Sequence, residues 1–217
     1  MKFLISFLLA VSTITVWAQN PNTADSLTNE ICKSIKLNPN KIDSVRVYEA
    51  FEQHADALKD FNAATRDSIA DRVFYRLQII CPIFREILDR HQPENKNWKI
   101  TSEKPISKLK KTDCLEFRKH TNYRYLEVTG DTVVVKIGNG FWIDNFLDGS
   151  YSKLNFKWVA DCEFEIEFIE SNNITRKNLS NKGDKYRYTL LEKDSNSFLL
   201  SANVPGTDRY SIFKMYF

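Results

Sequence analysis

The stretch CEFEIEFIE, residues 162–170, decides the fold of this chain. Apolar and acidic side chains alternate through it from Cys162 to Phe168. The apolar side consists of Phe164, Ile166 and Phe168, and the acidic side of Glu163, Glu165 and Glu167. A period of two is that of an extended strand, so this composition predicts a sheet with one buried face and one face in water.

The same period continues on both sides of this stretch, from about Thr112 to Phe217. Turn signals separate its segments, and Gly138-Asn139-Gly140 is a clear hairpin signal. Short consecutive strands with tight turns favour antiparallel pairing. We therefore predict an antiparallel β domain of about eight strands over 112–217, either a curved meander or a small barrel. Besides 162–170, the candidate strands are 113–119, 122–128, 132–137, 141–147, 151–159, 185–192, 197–203 and 209–216.

Residues 19–91 carry the helical period instead, with apolar residues every three or four positions. They predict a unit of three helices, so the fold class is α+β. Thr23 or Asp25 is expected to cap the first helix, and Asn38 the second, with proline at its first position. The third helix is expected to continue to about residue 90 with a kink at Pro82. Residues 92–111 have no clean period and predict a linker.

The first eighteen residues have the layout of a cleaved secretory signal. A lysine follows Met1, the run from Phe3 to Val16 is apolar apart from serine and threonine, and the small residue Ala18 ends it. The run is shorter than the roughly 20 residues that span a bilayer. We expect cleavage after Ala18, a mature chain beginning at Gln19, a secreted or periplasmic location, and no membrane span after cleavage.

The chain has four cysteines, all beyond the predicted signal: Cys32, Cys81, Cys114 and Cys162. An even number of cysteines behind an export signal favours disulfides over free thiols. Four cysteines allow three pairings, and a sequence alone proves none of them. We favour Cys32 with Cys81 and Cys114 with Cys162, because each bridge then closes one unit of the chain.

The sequence contains no motif that names a reaction. The histidines, His54, His91 and His120, are scattered, and no metal-binding spacing, nucleophile elbow, phosphate loop or dinucleotide fingerprint is present. We predict no catalytic residue, no metal site and no cofactor. The formal net charge is +3 with both signs interspersed, which gives no indication of a nucleic-acid partner.

Two stretches of the β domain resemble a family. They are Cys114-Leu-Glu-Phe-Arg-Lys and KWVADCEFEI, residues 157–166, which contains a Lys-Trp-x-x-x-Cys motif. Over about residues 112–217 the chain resembles a group of uncharacterised secreted Bacteroidota proteins with a lipocalin-like β domain. The resemblance implies a barrel-like antiparallel sheet and a Cys114–Cys162 bridge, and it implies no reaction.

The same phylum suggests a modification. Secreted Bacteroidota proteins are O-glycosylated at Asp-Ser/Thr-hydrophobic triplets, and four such triplets occur in this chain. Three of them lie near predicted helix starts, where aspartate and serine also serve as caps, so both interpretations stay open. The candidate acceptors are Ser26, Ser44, Ser68 and Thr132.

Aromatic side chains of the β domain are the remaining site candidates. A small barrel needs such bulk to fill its interior, whereas a larger one leaves a ligand cavity. The candidate ligand-lining residues are Tyr123, Tyr125, Trp142, Phe156, Trp158, Phe164, Phe168, Tyr186 and Tyr188.

We predict a secreted or periplasmic, non-catalytic binding or interaction protein. Its partner would be an envelope protein or a small apolar ligand. An interaction module is preferred, and a lipocalin-like carrier of a small apolar molecule is the alternative. A hydrolase that uses carboxylates from different strands of the β domain is a second alternative. Glu163, Glu165 and Glu167 share one strand and alternate with apolar residues, which favours a solvated face for them.

Overall fold

The structure is a computed structural model that describes residues 21–91 and 95–217. The predicted signal and its cleavage site lie outside these residues. Within the described ranges, every helix is too short or too polar to cross a membrane. A helical unit precedes a closed antiparallel β-barrel, which confirms the predicted α+β class.

The helical unit is built from amphipathic helices whose apolar stripes meet in one core. Ile31, Ile35, Val73, Leu77 and Phe84 are almost completely buried there. Burying an aliphatic or aromatic side chain of this size contributes about 1.5–3 kcal/mol, so this stripe holds the unit together. The elements are α1 (Pro21–Leu37), α2 (Asp43–Glu52), a short 3-10 helix (Ala55–Leu58), α3 (Ala63–Ile80) and α4 (Pro82–His91).

Three helix boundaries in this unit differ from the prediction. Helix α1 begins at Pro21, so Thr23 and Asp25 lie inside it and do not cap it. Helix α2 begins at Asp43, not at Pro39, and Ile42 precedes it without a side-chain cap. The third predicted helix is divided in two, because Cys81 is extended (φ −113°, ψ 96°) and Pro82 opens α4. Proline disfavours a helical residue before it and loses no hydrogen bond at a first helical position, so the chain breaks where a kink was expected.

The β domain is an up-and-down barrel. Strands β2 to β9 pair in sequence order, and β9 pairs with β2 at Arg124 and Tyr216, which closes a barrel of eight strands. The hairpin between β3 and β4 turns at Asn139 (φ 51°) and Gly140 (φ 78°), the positive values that a type I′ turn requires. The strands are β1 (Trp98–Thr101), β2 (Asn122–Leu126), β3 (Thr132–Gly138), β4 (Phe141–Asn145), β5 (Tyr151–Ala160), β6 (Glu163–Ser171), β7 (Lys185–Lys193), β8 (Ser197–Asn203) and β9 (Tyr210–Tyr216).

Strand β1 lies inside the segment that the sequence predicts to be a linker. It pairs with β9 from Trp98–Phe213 to Thr101–Tyr210, so β1 and β2 share one edge of β9. The Trp98 indole nitrogen donates to the carbonyl oxygen of Leu126 at 2.6 Å, and its ring stacks on Phe213 at 4.3 Å. Trp98 thereby connects the end of β2 to β9 where their direct pairing stops.

Two short helices lie at opposite ends of the barrel. Helix α5 (Lys111–Phe117) precedes β2, and α6 (Ile174–Leu179) follows β6. The predicted strand at 113–119 is therefore wrong. The Asp113 carboxylate accepts from the Lys110 backbone nitrogen at 3.0 Å and stabilises a first helical turn, and Cys114 and Phe117, three residues apart, face the barrel core together.

Both favoured disulfides are present. Cys32 on α1 is bonded to Cys81 between α3 and α4, and Cys114 on α5 is bonded to Cys162 at the turn between β5 and β6. The first bridge closes the helical unit, and the second holds α5 against its end of the barrel. None of the four cysteines is a free thiol in this structure.

The helical unit covers the opposite end of the barrel, at α6. The Arg76 guanidinium of α3 donates to the Leu179 carbonyl oxygen at 3.0 Å and to the Asp184 carboxylate at 2.5 Å. Farther along the contact, Arg209 of the barrel donates twice at 2.8 Å to the Asp89 carboxylate of α4. These contacts place α6 between the helices and the barrel interior.

Candidate functional site

The interior of the barrel next to α6 contains a buried carboxylate. Alternation along β4 places Trp142 and Asp144 on the same inner face, where they are 2% and 6% exposed. The Trp142 indole nitrogen donates to Asp144 Oδ1 at 2.8 Å. Burial raises the pKa of Asp144 to about 6, against the opposing effects of the Arg176 charge and the Trp142 hydrogen bond.

Arg176 of α6 lies across the barrel end from this carboxylate, and both side chains border the same interior space. The Asn173 side chain caps α6 by accepting from the Arg176 backbone nitrogen at 3.1 Å, which fixes the first turn of the helix. The Arg176 guanidinium donates to the Tyr125 hydroxyl at 3.2 Å and is ion-paired with the Glu127 carboxylate. Burial opposes its charge, but Tyr125, Glu127 and Asp144 outweigh burial and raise the pKa of Arg176.

A cavity of about 110 Å³ lies between these groups; we call it the α6 chamber. Its polar lining consists of Asp144, Arg176, Ser152 and Ser180, with tyrosine hydroxyls, and its remaining walls are aromatic and aliphatic. An engineered apolar cavity of about 150 Å³ accommodates benzene, and pockets for drug-sized ligands occupy about 300–1,000 Å³. The chamber is therefore sized for a molecule of only a few heavy atoms.

The nine aromatic residues predicted to line a ligand site divide into two groups. The chamber is lined by Tyr125, Trp142, Phe168, Tyr186 and Tyr188. The other four, Tyr123, Phe156, Trp158 and Phe164, pack into the barrel core away from the chamber, where Phe117 of α5 stacks on Tyr123 at 4.5 Å. The α5 end of the barrel is thus filled by side chains, and the open space lies at the α6 end.

Arg176 separates the chamber from two outer grooves. One groove, of about 640 Å³, runs between the barrel and the helical unit and is lined by Trp98, Glu127, Arg176 and Arg209 among others. The second, of about 400 Å³, lies beside Glu127, Phe146 and Arg176. Arg176 therefore borders all three spaces.

The glutamates of β6 lie on the outer face of the barrel, away from the chamber. Glu165 is 7% exposed at its side chain because Lys157 (2.8 Å), Lys185 and Arg187 (3.2 Å) cover it. These cross-strand pairs hold the pKa of Glu165 below its usual range, chiefly through the Lys157 hydrogen bond. The three alternating glutamates of β6 therefore pair with basic side chains of neighbouring strands, as expected of a solvated face.

The histidines make contacts that fit structural roles. His54 is 2.9 Å from the Ser34 hydroxyl, His91 is 3.1 Å from the Asp43 carboxylate, and His120 stacks on Phe217 at 4.2 Å. Among the residues that the structure describes, no three histidine, cysteine, aspartate or glutamate side chains are grouped to hold a metal ion.

The candidate glycosylation residues occupy four separate places. Ser26 on α1 and Ser44 on α2 are exposed, and Ser68 on α3 and Thr132 on β3 are half-buried. The side chain that caps α3 is Asn62, which accepts from Thr65 at 2.9 Å, so Asp67 and Ser68 are not its cap. Glycosylation of the four residues stays a prediction.

Sequence reasoning missed nine of the fourteen residues that line the chamber, among them Trp98, Asp144 and Arg176. A signal for Asp144 was present, since a carboxylate two residues after Trp142 falls on the same face of a strand. Trp98 was assigned to the linker. Arg176 carries no local signal, because its position depends on α6 folding back over the barrel.

No protein-family model, curated protein or solved structure matches the chain. The site is therefore defined by its own geometry and chemistry.

Proposed function

We propose that the chain is a secreted or periplasmic, non-catalytic binding protein with a lipocalin-like barrel, and that it takes a small ligand into the α6 chamber. The observation that carries this proposal is the polar lining of the barrel interior. A barrel that only needs to be stable is filled by apolar side chains. Here Asp144, Ser152 and Ser180 border an interior space, beneath a single arginine.

The dimensions of the chamber restrict the carrier alternative. A volume of about 110 Å³ is too small for a fatty acid or a similar lipid, and its charged groups disfavour a purely apolar molecule. The lipocalin-like comparison therefore concerns the barrel and its inward-facing site, and the ligand is smaller and more polar than the sequence suggests.

Native mass spectrometry tests the proposal. We expect protein purified without denaturants to carry a bound small molecule that is released on unfolding. Leu154→Phe fills the chamber with an apolar group and should abolish this extra mass, whereas Val134→Phe, on the exposed face of β3, should keep it. An unliganded wild type that also shows no thermal stabilisation by a library of small molecules would contradict the proposal.

The outer surface of α2 favours a second candidate function, that of an interaction module. Val45 and Tyr48, three residues apart on one side of α2, are 38% and 64% exposed, and Ile42, which immediately precedes the helix, is 70% exposed. A photo-crosslinking residue at position 45 should capture an envelope protein in the producing cells, and the same residue at position 66 on α3 should not. Equal crosslinking at both positions would count against this function.

A further inference from the structure

Asp144 is a buried carboxylate without an ion-pair partner. Among the residues that the structure describes, no lysine, arginine or histidine nitrogen lies within 4.0 Å of its oxygens, and its hydrogen bonds come from neutral groups, the Trp142 indole and the Tyr125 hydroxyl. Arg176, the nearest cation, is already paired with Glu127. The three charges therefore sum to −1 when Asp144 is ionised.

Leaving such a charge in an aromatic interior is costly, and two events relieve the cost. The carboxyl group takes up a proton, or a cation enters the chamber beside it. An anionic ligand would increase the cost, because Glu127 already neutralises the guanidinium that would bind it.

The walls of the chamber favour an organic cation over a metal ion. Tyr125, Trp142 and Tyr188 present aromatic rings to the space around Asp144, and the Trp142 and Tyr188 rings lie 5.6 Å apart. Aromatic faces attract ammonium groups through the ring quadrupole. Calcium and magnesium instead need several oxygen ligands at short range.

We propose that the α6 chamber binds a small organic ammonium ion, with Asp144 as its counter-ion and the rings of Tyr125, Trp142 and Tyr188 as its walls. This inference rests on the proposed function and names the class of ligand. The volume limits the ion to about the size of tert-butylammonium, which has fewer heavy atoms than benzene.

Three compounds with one shape and different charges test the inference on the purified protein. They are tert-butylammonium, tert-butanol and pivalate, and their binding is measured by isothermal titration calorimetry. We expect the ammonium ion to bind, the alcohol to bind more weakly and pivalate not to bind. If the alcohol or pivalate binds as tightly as the ammonium ion, the inference is wrong and the proposed binding function survives.

Asp144→Asn removes the negative charge alone, because it keeps the volume of the side chain and an oxygen that accepts from Trp142. Loss of the charge should weaken tert-butylammonium binding roughly tenfold to a hundredfold, the worth of a hydrogen bond to a charged group. Glu165→Gln removes a carboxylate from the outer face of the barrel and should leave binding unchanged. Equal affinity of Asp144→Asn and wild type would overturn the inference.

A second measurement uses the wild type alone, so the inference can be tested even if Asp144→Asn does not fold. The charged and titratable groups around the carboxyl are Arg176, Glu127, Tyr125 and Tyr188, and burial raises the pKa of Asp144 to about 6. Ammonium binding should therefore weaken as the pH falls from about 8 to about 5, because protonation removes the counter-ion. Affinity that stays constant over this range would also overturn the inference. Absence of binding by all three compounds would overturn it too, and an empty wild type in native mass spectrometry would then refute the proposed function as well.

Discussion

Asp144 makes the stability of the barrel depend on pH in an unusual direction. Its pKa is raised from an ordinary 3.8 to about 6 in the folded protein, so the folded state holds its proton more tightly than the unfolded state. Between those values the folded state binds more protons, and stability falls as the pH rises. Most carboxylates act in the opposite direction, including Glu165 with its lowered pKa.

Asp144→Asn should therefore stabilise the unliganded protein at neutral pH. The difference between the two pKa values corresponds to about 3 kcal/mol at about pH 8, and it should shrink towards zero near pH 4. Urea unfolding of variant and wild type across this range measures it. A stability difference that does not change with pH would show that burial leaves the Asp144 pKa unshifted.

Some residues of this site can be predicted from the local sequence pattern, and others cannot. Trp142 and Asp144 were recognisable as neighbours on one strand face, because the period of two is a local property. Arg176 lies more than thirty positions away, and its approach to Asp144 follows from the barrel closing and α6 folding over it. Such a contact depends on tertiary structure, and a local pattern contains no trace of it.

At the scale of elements, α6 is held in place by α3. Arg76 is 7% exposed at its side chain, donates to Leu179 and Asp184, and has the Asp25 carboxylate 3.5 Å from its Nε. Helix α6 has six residues, too few for an isolated helix to be stable in water. The helical unit therefore stabilises α6, the helix that covers the α6 chamber.

Arg76→Ala should loosen α6 and leave the barrel intact. It leaves two partly buried carboxylates without their cation, and we expect a loss of about 2 kcal/mol. Hydrogen exchange should accelerate in residues 172–184 and stay slow in β3 to β5. Arg66→Ala, at an exposed position of the same helix, is the control. Unchanged exchange in α6 would mean that the barrel alone orders it.

Helix α5 depends in a similar way on the Cys114–Cys162 bridge. Replacing both cysteines by serine removes a cross-link between residues 48 positions apart, and loop entropy predicts a loss of about 4 kcal/mol. Replacing Cys32 and Cys81 opens a loop of nearly equal length, with a separation of 49, and should cost a similar amount. Denaturant unfolding of the two double variants measures both losses, and a loss below about 1 kcal/mol in either would contradict the loop-entropy account.

The mistaken strand at 113–119 illustrates where local pattern fails. This segment alternates weakly, and seven residues are too few to separate a period of two from one of 3.6. The contact that decides the outcome is that of Cys114 and Phe117 with the barrel core. The long alternating strands and the apolar stripes of α1 and α3, by contrast, were predicted correctly because each repeats its period several times. The second predicted helix is the exception, since its apolar residues Ile42, Val45 and Tyr48 are exposed.

At the scale of the whole molecule, the two units keep separate cores and separate disulfides, which matches the change of period along the sequence. The pairing of strands in sequence order also follows from the short turns. The closure of the barrel and the docking of the helices onto α6 do not follow from these patterns, since both join residues that are distant in the chain.

Export of the whole chain is a prediction of its own. We expect the protein to accumulate in the periplasm or the medium of producing cells, with Gln19 as its first residue by N-terminal sequencing. Lys2→Glu together with Leu8→Arg should retain the chain in the cytoplasm, because both changes spoil the signal. A mature protein that still begins at Met1 outside the cytoplasm would contradict cleavage after Ala18.

The shared edge of β9 has a consequence for how the protein folds. Direct closure of the barrel joins Arg124 to Tyr216, about 90 positions apart, and β1 pairs with the rest of that edge. Topologies dominated by such distant contacts fold in milliseconds to seconds, whereas helical bundles need microseconds to milliseconds. Until the edge is paired, β2 and β9 remain free to pair with another molecule. We therefore expect closure of this edge to be slow, and the same closure protects the chain from aggregation, so its rate sets how long each newly made molecule is at risk.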